Sequence, residues 1–336
     1  MVEGQAWLAW KADTAVTVPT LIASAIYVAG MLRRDRRAAN AVPNWRHVSF
    51  FAGVIAILLA LQSPIDVVGE RLFFVHQIQH LLLRMLGPML IALAWPTGTL
   101  IAGTPKFLRH RLLAPTVSNR LIRGVYGSIS HPVSATALFI AVLYFWQIPS
   151  FHNRAVVDDN VHYLMHASMF AAGLIFWLLI FERRGAPHGT RHGARVMMLV
   201  LAILSNIVLG SYTALKSQIF YSAYDVLGRP FGFAPLTDER IGGIIIWIPS
   251  SMMCLIGVLI VIQMYGRHEA RSEFKRTRWS PSNSAMLLYP TTGRELVSMA
   301  RRKNRSLAGG IAAFTVSVFA MSVFIGILSQ LSWLPE

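Results

Sequence analysis

The chain is poor in charge and poorer still in acid. Only 14% of its 336 residues are Asp, Glu, Lys or Arg, where a soluble domain carries about 25%. That excludes an ordinary water-soluble globule and predicts a multi-span membrane protein. Nearly all of the 15 acidic residues fall between apolar runs, so a proton pump built on buried carboxylates is excluded as well. Cysteine is almost missing. Cys254 stands alone in an apolar run; it has no disulfide partner and reads as a small buried apolar side chain rather than a metal thiolate. There is no phosphate loop, serine nucleophile elbow, zinc-protease motif or cysteine motif, and nothing supports a conventional enzyme. The opening stretch MVEGQAWLAWKADTAV lacks a basic leader and a small-residue cleavage site, so no removable signal peptide is expected.

What is abundant is apolar surface and positive charge. Hydrophobic residues make up 54% and the formal net charge is +16. The basic residues sit in short blocks between apolar runs, a pattern of membrane topology rather than of nucleic-acid binding. Runs long enough to cross about 30 Å of hydrocarbon lie at 15–32, 47–62, 72–95, 133–149, 160–181, 196–215, 241–265 and 307–333. Short polar connections between them predict an all-α polytopic membrane bundle of about eight spans, forming one integral-membrane domain over 1–336. No internal repeat or low-complexity tract interrupts it.

Charge sets the expected orientation. The connections 33–46, 97–130, 182–195 and 266–306 hold 24 Lys and Arg against five acids. The opposite side, with both ends of the chain, holds six against ten. The positive-inside rule then places both termini outside.

Two histidine pairs break the apolar pattern. VHQIQHLLLRMLGP at 75–88 carries His76 and His80, with Arg84 one turn further on, and NVHYLMHASMF at 160–170 carries His162 and His166. Four-residue spacing puts each pair on one helix face, and both pairs fall in the outer halves of their spans. Ionisable groups at that depth are costly, so by default they face the bundle interior and have a function. Two imidazoles at i and i+4 grip one metal ion, and two facing pairs supply a four-nitrogen site. Met169 shares the face of His162 and His166 and adds a thioether. Imidazole with thioether favours copper over calcium or magnesium. Two other readings of the same residues stay open. The pairs serve as interhelical hydrogen bonds, or opposed imidazoles such as His80 and His166 ligate a b-type haem with Arg84 on a propionate. Arg84 itself is expected to be no ligand: a permanent cation repels a bound ion. It is expected to set the floor of the site and to seek a carboxylate, a partner's acidic group or backbone carbonyls freed by Pro88. The glycine pair Gly242-Gly243 is expected to let the third, fifth and seventh spans meet. His47, His110, His131, His188, His192 and His268 lie among Arg residues on the basic side and carry no expected role.

Taken together, three stretches resemble the multi-span CtaG family of cytochrome c oxidase assembly proteins. VHQIQHLLLRMLGPMLIALAWP (75–96) resembles its paired-histidine helix, with Pro88 and Pro96 following. HPVSATALFIAVLYFWQIPSFHNRAVVDDNVHYLMHASMFAAGLIFW (131–177) resembles the next block. LTDERIGGIIIWIPSSMM (236–253) resembles the block carried here by Asp238, Gly242, Gly243, Trp247 and Pro249. The family-like core is then 72–265, with 266–336 a basic cytoplasmic segment and an added span. Gln147 stands where the family pattern has a histidine, and His152 is the candidate substitute. The resemblance implies maturation of a haem-copper oxidase in a bacterial inner membrane, with oxidase subunits and the lipid bilayer as partners and no nucleic acid. Copper held near the outer face by His76, His80, His162, His166 and Met169 is the expected chemistry. A haem-b membrane oxidoreductase and a metal-free scaffold for oxidase subunits are the alternatives.

Overall fold

Within hydrocarbon every peptide group must find its hydrogen bond inside the chain, and the protein answers with helices throughout. The computed structural model describes residues 10–35, 42–184, 189–279, 305–318 and 320–321, and among them no strand occurs. The chain divides into two compact units, Met1–Val261 and Ile262–Glu336; the candidate site lies wholly in the first.

Local chemistry sets the helix boundaries. The Asp13 carboxylate accepts from the Ala15 N–H at 2.8 Å where α1 (Thr14–Asp35) starts. After α2 (Asn44–Gln62), Ser63 caps the short α3 (Pro64–Gly69). The long α4 (Phe73–Ala94) carries a π-helical stretch over Leu81–Leu86 ahead of Pro88, which cannot donate to the carbonyl of Arg84 four residues earlier. It ends at Trp95, whose φ of 51° is left-handed. The chain then forms α5 (Thr97–Gly103) and, beyond exposed short turns, α6 (Arg120–Ile129), α7 (Pro132–Gln147) and α8 (Pro149–Val157). Asp158 caps α9 (Asp159–Ile180). The remaining elements are α10 (His192–Leu215), α11 (Ala223–Leu227), α12 (Pro235–Trp279) and, in the second unit, a helix at Arg305–Val318.

Among the described residues, six helices are long and apolar enough to cross a membrane: α1, α2, α4, α9, α10 and the Pro235–Ala270 part of α12. The expected spans 15–32, 47–62, 72–95, 160–181, 196–215 and 241–265 each fall on one of them. The expected fourth span is α7, bent by 70° from α6; that pair counts as a seventh crossing if taken as one broken span. The expected eighth, 307–333, coincides with the Arg305–Val318 helix at its start, and most of the rest lies outside the described residues.

In the first unit α1 packs on α5, α2 on the second half of α4, and α9 on α4, α7 and α8. The expected role of the glycine pair divides in two. A Cβ on Gly242 would sit 2.3 Å from the Phe73 ring of α4, whereas one on Gly243 would sit 2.4 Å from the Ala214 nitrogen of α10. Gly242 thus brings the third and seventh spans together as expected, and Gly243 serves the sixth instead. Lipid offers little hydrophobic drive between helices, so such close backbone approach does much of the work of association.

Candidate metal centre

The first turn of α4 has four unpaired N–H groups to satisfy, and a residue far along the chain does it. The Asp238 carboxylate accepts from Phe73 N at 3.0 Å and Phe74 N at 2.9 Å. Arg229 Nε pairs with the same carboxylate at 2.9 Å. Next to it, Glu239 accepts from Phe220 N at 3.0 Å and Tyr221 N at 2.9 Å and ion-pairs with Lys216. Both acids are fully buried. They tie the 216–234 connection down over the start of α4, and this seats Tyr221 and Tyr224 against Phe73, in one apolar cluster with Val156 and Ala223.

Beneath that cover the two histidine pairs meet. The ligating nitrogens of His76, His80 and His166 all lie within 4.8 Å of one another, and all three residues are buried. Ring centroids are 4.4 Å apart for His76 and His80, 5.7 Å for His76 and His166, and 5.6 Å for His80 and His166. His162, half-buried, stacks on His76 at 5.2 Å and sets its Nε2 3.2 Å from Nε2 of His166. All four predicted histidines therefore converge, three of them as a tight group. Met169 is buried one turn after His166, packed with Leu143, Trp146, Ala155, Met165 and Ile246.

The tight group has the chemistry of an ion site. His76 Nε2 and both ring nitrogens of His80 are buried without a hydrogen-bond partner. Each buried orphan costs about 1–3 kcal/mol, and an ion held by the lone pairs is the partner that would offset it. Two nitrogens on one ion at about 2 Å each stand at most about 4 Å apart, so a group whose nitrogens lie within 4.8 Å of one another needs only a small inward shift to hold one. With imidazole as the sole ligand type in the group, zinc, copper, iron and nickel suit it and magnesium or calcium do not.

Access comes from one side. A cavity of about 640 Å³ is lined by His162 and His166 and also by Asp13, Asp66, Glu70, Asp159 and Lys11. Burial pushes the Asp66 carboxyl above the usual carboxylate range, against the pull of Lys11. Four carboxylates against one ammonium make this mouth attractive to cations.

Arg84 finds its mate on another helix. Its Nη2 donates to the Phe139 carbonyl at 3.1 Å, and the guanidinium lies 3.6 Å over the Phe139 ring. Among the described residues no carboxylate lies within 4 Å of it. His152, the candidate substitute ligand, has both nitrogens engaged: Nδ1 with the Trp146 carbonyl and Nε2 with the Tyr224 hydroxyl, each at 2.9 Å. The same hydroxyl is 2.8 Å from Nδ1 of His76. Burial pushes the His152 imidazole down to about 4, so it is neutral at neutral pH. Gln147 donates to Gln77 Oε1 and accepts from the Tyr221 hydroxyl, both at 2.9 Å. Sequence reading missed Tyr224: it is an isolated tyrosine in a connection, with no spacing to mark it. Asp238 was legible as part of the family-like block, without its partners.

Comparison with known proteins gives the same direction. A family model described as cytochrome c oxidase caa3 assembly factor (Caa3_CtaG) matches residues 25–267. The chain is similar to an uncharacterized protein of Mycobacterium leprae, 24% identical over 298 residues that cover 87% of this chain and 45% of that one. It is also similar to one of Mycobacterium bovis, 22% identical over 307 residues with the same coverage. This chain thus spans less than half the length of the curated relatives it matches. No solved structure matches it.

Proposed function

The chain belongs to the cytochrome c oxidase caa3 assembly factor family, and from that premise we propose that it binds copper near the periplasmic face and passes it to a haem-copper oxidase subunit. By its family and its apolar helices it is a multi-pass bacterial membrane protein, and the role in oxidase assembly follows from the family. The observation that carries the copper reading is the group of His76, His80 and His166, in which His76 Nε2 and both nitrogens of His80 are buried without partners. His162 is the half-buried member, on the wall of the acid-lined cavity, and takes the cargo in from the mouth. Met169 is the auxiliary thioether, one turn from His166. Neutral imidazoles are required for ligation, so affinity falls as the pH is lowered.

The distribution of basic residues supports the side. With 24 Lys and Arg on the other side of the membrane, the positive-inside rule puts the histidine end in the periplasm, where copper sites of an oxidase are reached. Ring packing supports a bare ion over a haem: the four imidazoles touch one another in the volume a porphyrin plane would need.

Metal analysis, a Cu(I) competition titration and an absorption spectrum of the purified protein test the reading. Copper bound by the parent and lost in His80→Ala is the expected result. Equal copper in parent and variant would sink it, and a Soret band lost in the variant would establish the haem reading. Intact oxidase maturation after replacement of all four histidines would establish the metal-free scaffold.

A further inference from the structure

A carbonyl oxygen accepts and never donates, and this fixes the protons along a buried chain that starts at Trp146. Because the Trp146 carbonyl is 2.9 Å from His152 Nδ1, that nitrogen carries the hydrogen. His152 is fully buried, and among the described residues no carboxylate pairs with it. It therefore holds one ring proton, and its Nε2 is bare. The Tyr224 hydroxyl, 2.9 Å from that bare nitrogen, must point its proton there. Its oxygen is then free to accept, and His76 Nδ1 at 2.8 Å is the remaining partner. His76 is left with its hydrogen on Nδ1 and a lone pair on Nε2, the buried nitrogen that has no partner.

We propose that the chain Trp146 carbonyl, His152, Tyr224 locks His76 in the Nδ1–H tautomer and so keeps its Nε2 lone pair available to an ion shared with His80 and His166. His152 and Tyr224 are positioning residues that touch no ion themselves. The lock has a job, because a free neutral imidazole favours the opposite tautomer, with hydrogen on Nε2. Unlocked, His76 would offer the site an N–H instead of a lone pair. Metal-ligating histidines generally have the other ring nitrogen tied in this way. Here the tie is relayed through a hydroxyl and a second imidazole to a fixed backbone oxygen.

The assignment deepens the copper reading, but its first test needs no copper. Full-length protein labelled with 15N-histidine, stripped of metal and held in nanodiscs, reports each tautomer through the imidazole nitrogen shifts. His76 with a protonated Nδ1 and a bare Nε2 is expected in the parent. Tyr224→Phe keeps the ring and deletes the relay, so His76 should move toward the Nε2–H form and Cu(I) affinity should fall about 10–100-fold. Tyr221→Phe, whose hydroxyl serves Gln147 instead, should change neither. An Nε2–H His76 in the parent, or a His76 unmoved by Tyr224→Phe, overturns the relay. If Tyr224→Phe does not fold, the parent spectrum still decides. A parent that shows the locked tautomer and binds no copper upholds the relay and removes the proposed cargo instead.

Discussion

Two groups of buried ionisable side chains lie at the same end of the bundle, and they are built on opposite terms. In the Asp238–Glu239 group every charge has a mate: Arg229 and Lys216 supply the cations and four backbone N–H groups complete the acceptors. In the histidine group His76 Nε2 and both ring nitrogens of His80 have none. Burying a charge is tolerable only with partners in place, so the first group is architecture, finished within the chain. The second is unfinished within the chain, which is what a binding site for something from outside requires. Burial alone does not mark a site; metal-ligating nitrogens gathered together and left without partners do.

Asp238→Ala should have the largest effect on this contrast. It strips Arg229 of a buried mate and uncaps α4, and removing one member of a buried pair costs about 3–5 kcal/mol. Thermal unfolding in detergent should show it, with copper binding lost because the 216–234 connection no longer seats Tyr224. A stable Asp238→Ala protein would dissolve the distinction between the two groups.

Arg84→Met comes next. The guanidinium gives up one hydrogen bond to the Phe139 carbonyl and its place over the Phe139 ring, together about 2 kcal/mol. Under the proposed function copper binding should persist, since Arg84 lies one turn beyond His80 and is not a proposed ligand. A variant of parental stability with no copper would put Arg84 in the site after all.

How much of this was legible follows from what spacing encodes. An i, i+4 pattern tells which side chains share a helix face, and it was enough to join His76 with His80 and His162 with His166, while matching depth suggested that the pairs meet. It does not tell which helices are neighbours. Arg84 was expected to seek a carboxylate, a partner's acidic group or carbonyls freed by Pro88, and it found the carbonyl of Phe139 on α7. Gly243 was assigned to one set of spans and packs on another, because a helix interior offers several faces to pack on. Tyr224 was beyond reach: a lone residue in a connection acquires meaning only when folding brings it between His76 and His152. The span pattern was legible because apolar length is read directly against membrane thickness, and α7 blurred it by being short and bent.

The pH dependence should be smaller. The His152 imidazole is held at about 4 by burial, against an ordinary 6.5, with the Trp146 carbonyl pulling the other way. An unfolded chain therefore takes up this proton before the folded one does. The stabilising contribution is complete above pH 6.5 and is lost as the pH falls from 6.5 toward about 4. Between pH 7 and 5.5 the loss from this group is about 1 kcal/mol. Replacing it by His152→Gln should flatten the stability curve over that window; an unchanged slope would mean that His152 is not held neutral.

The smallest effect on stability should come from the centre of the site. His80→Leu in the metal-free protein replaces a buried ring whose two nitrogens have no partner with an apolar side chain of similar bulk. Removing an unsatisfied polar group in exchange for an apolar one of the same shape is close to neutral and sometimes stabilising. Melting within about 1 kcal/mol of the parent is therefore expected. Under the proposed function, added Cu(I) should stabilise the parent by mass action and leave this variant unmoved. The pairing of results matters more than either alone. A large loss of stability in metal-free His80→Leu would mean that His80 already has a structural mate, and the histidine group would then belong with Asp238 and Glu239 as finished architecture.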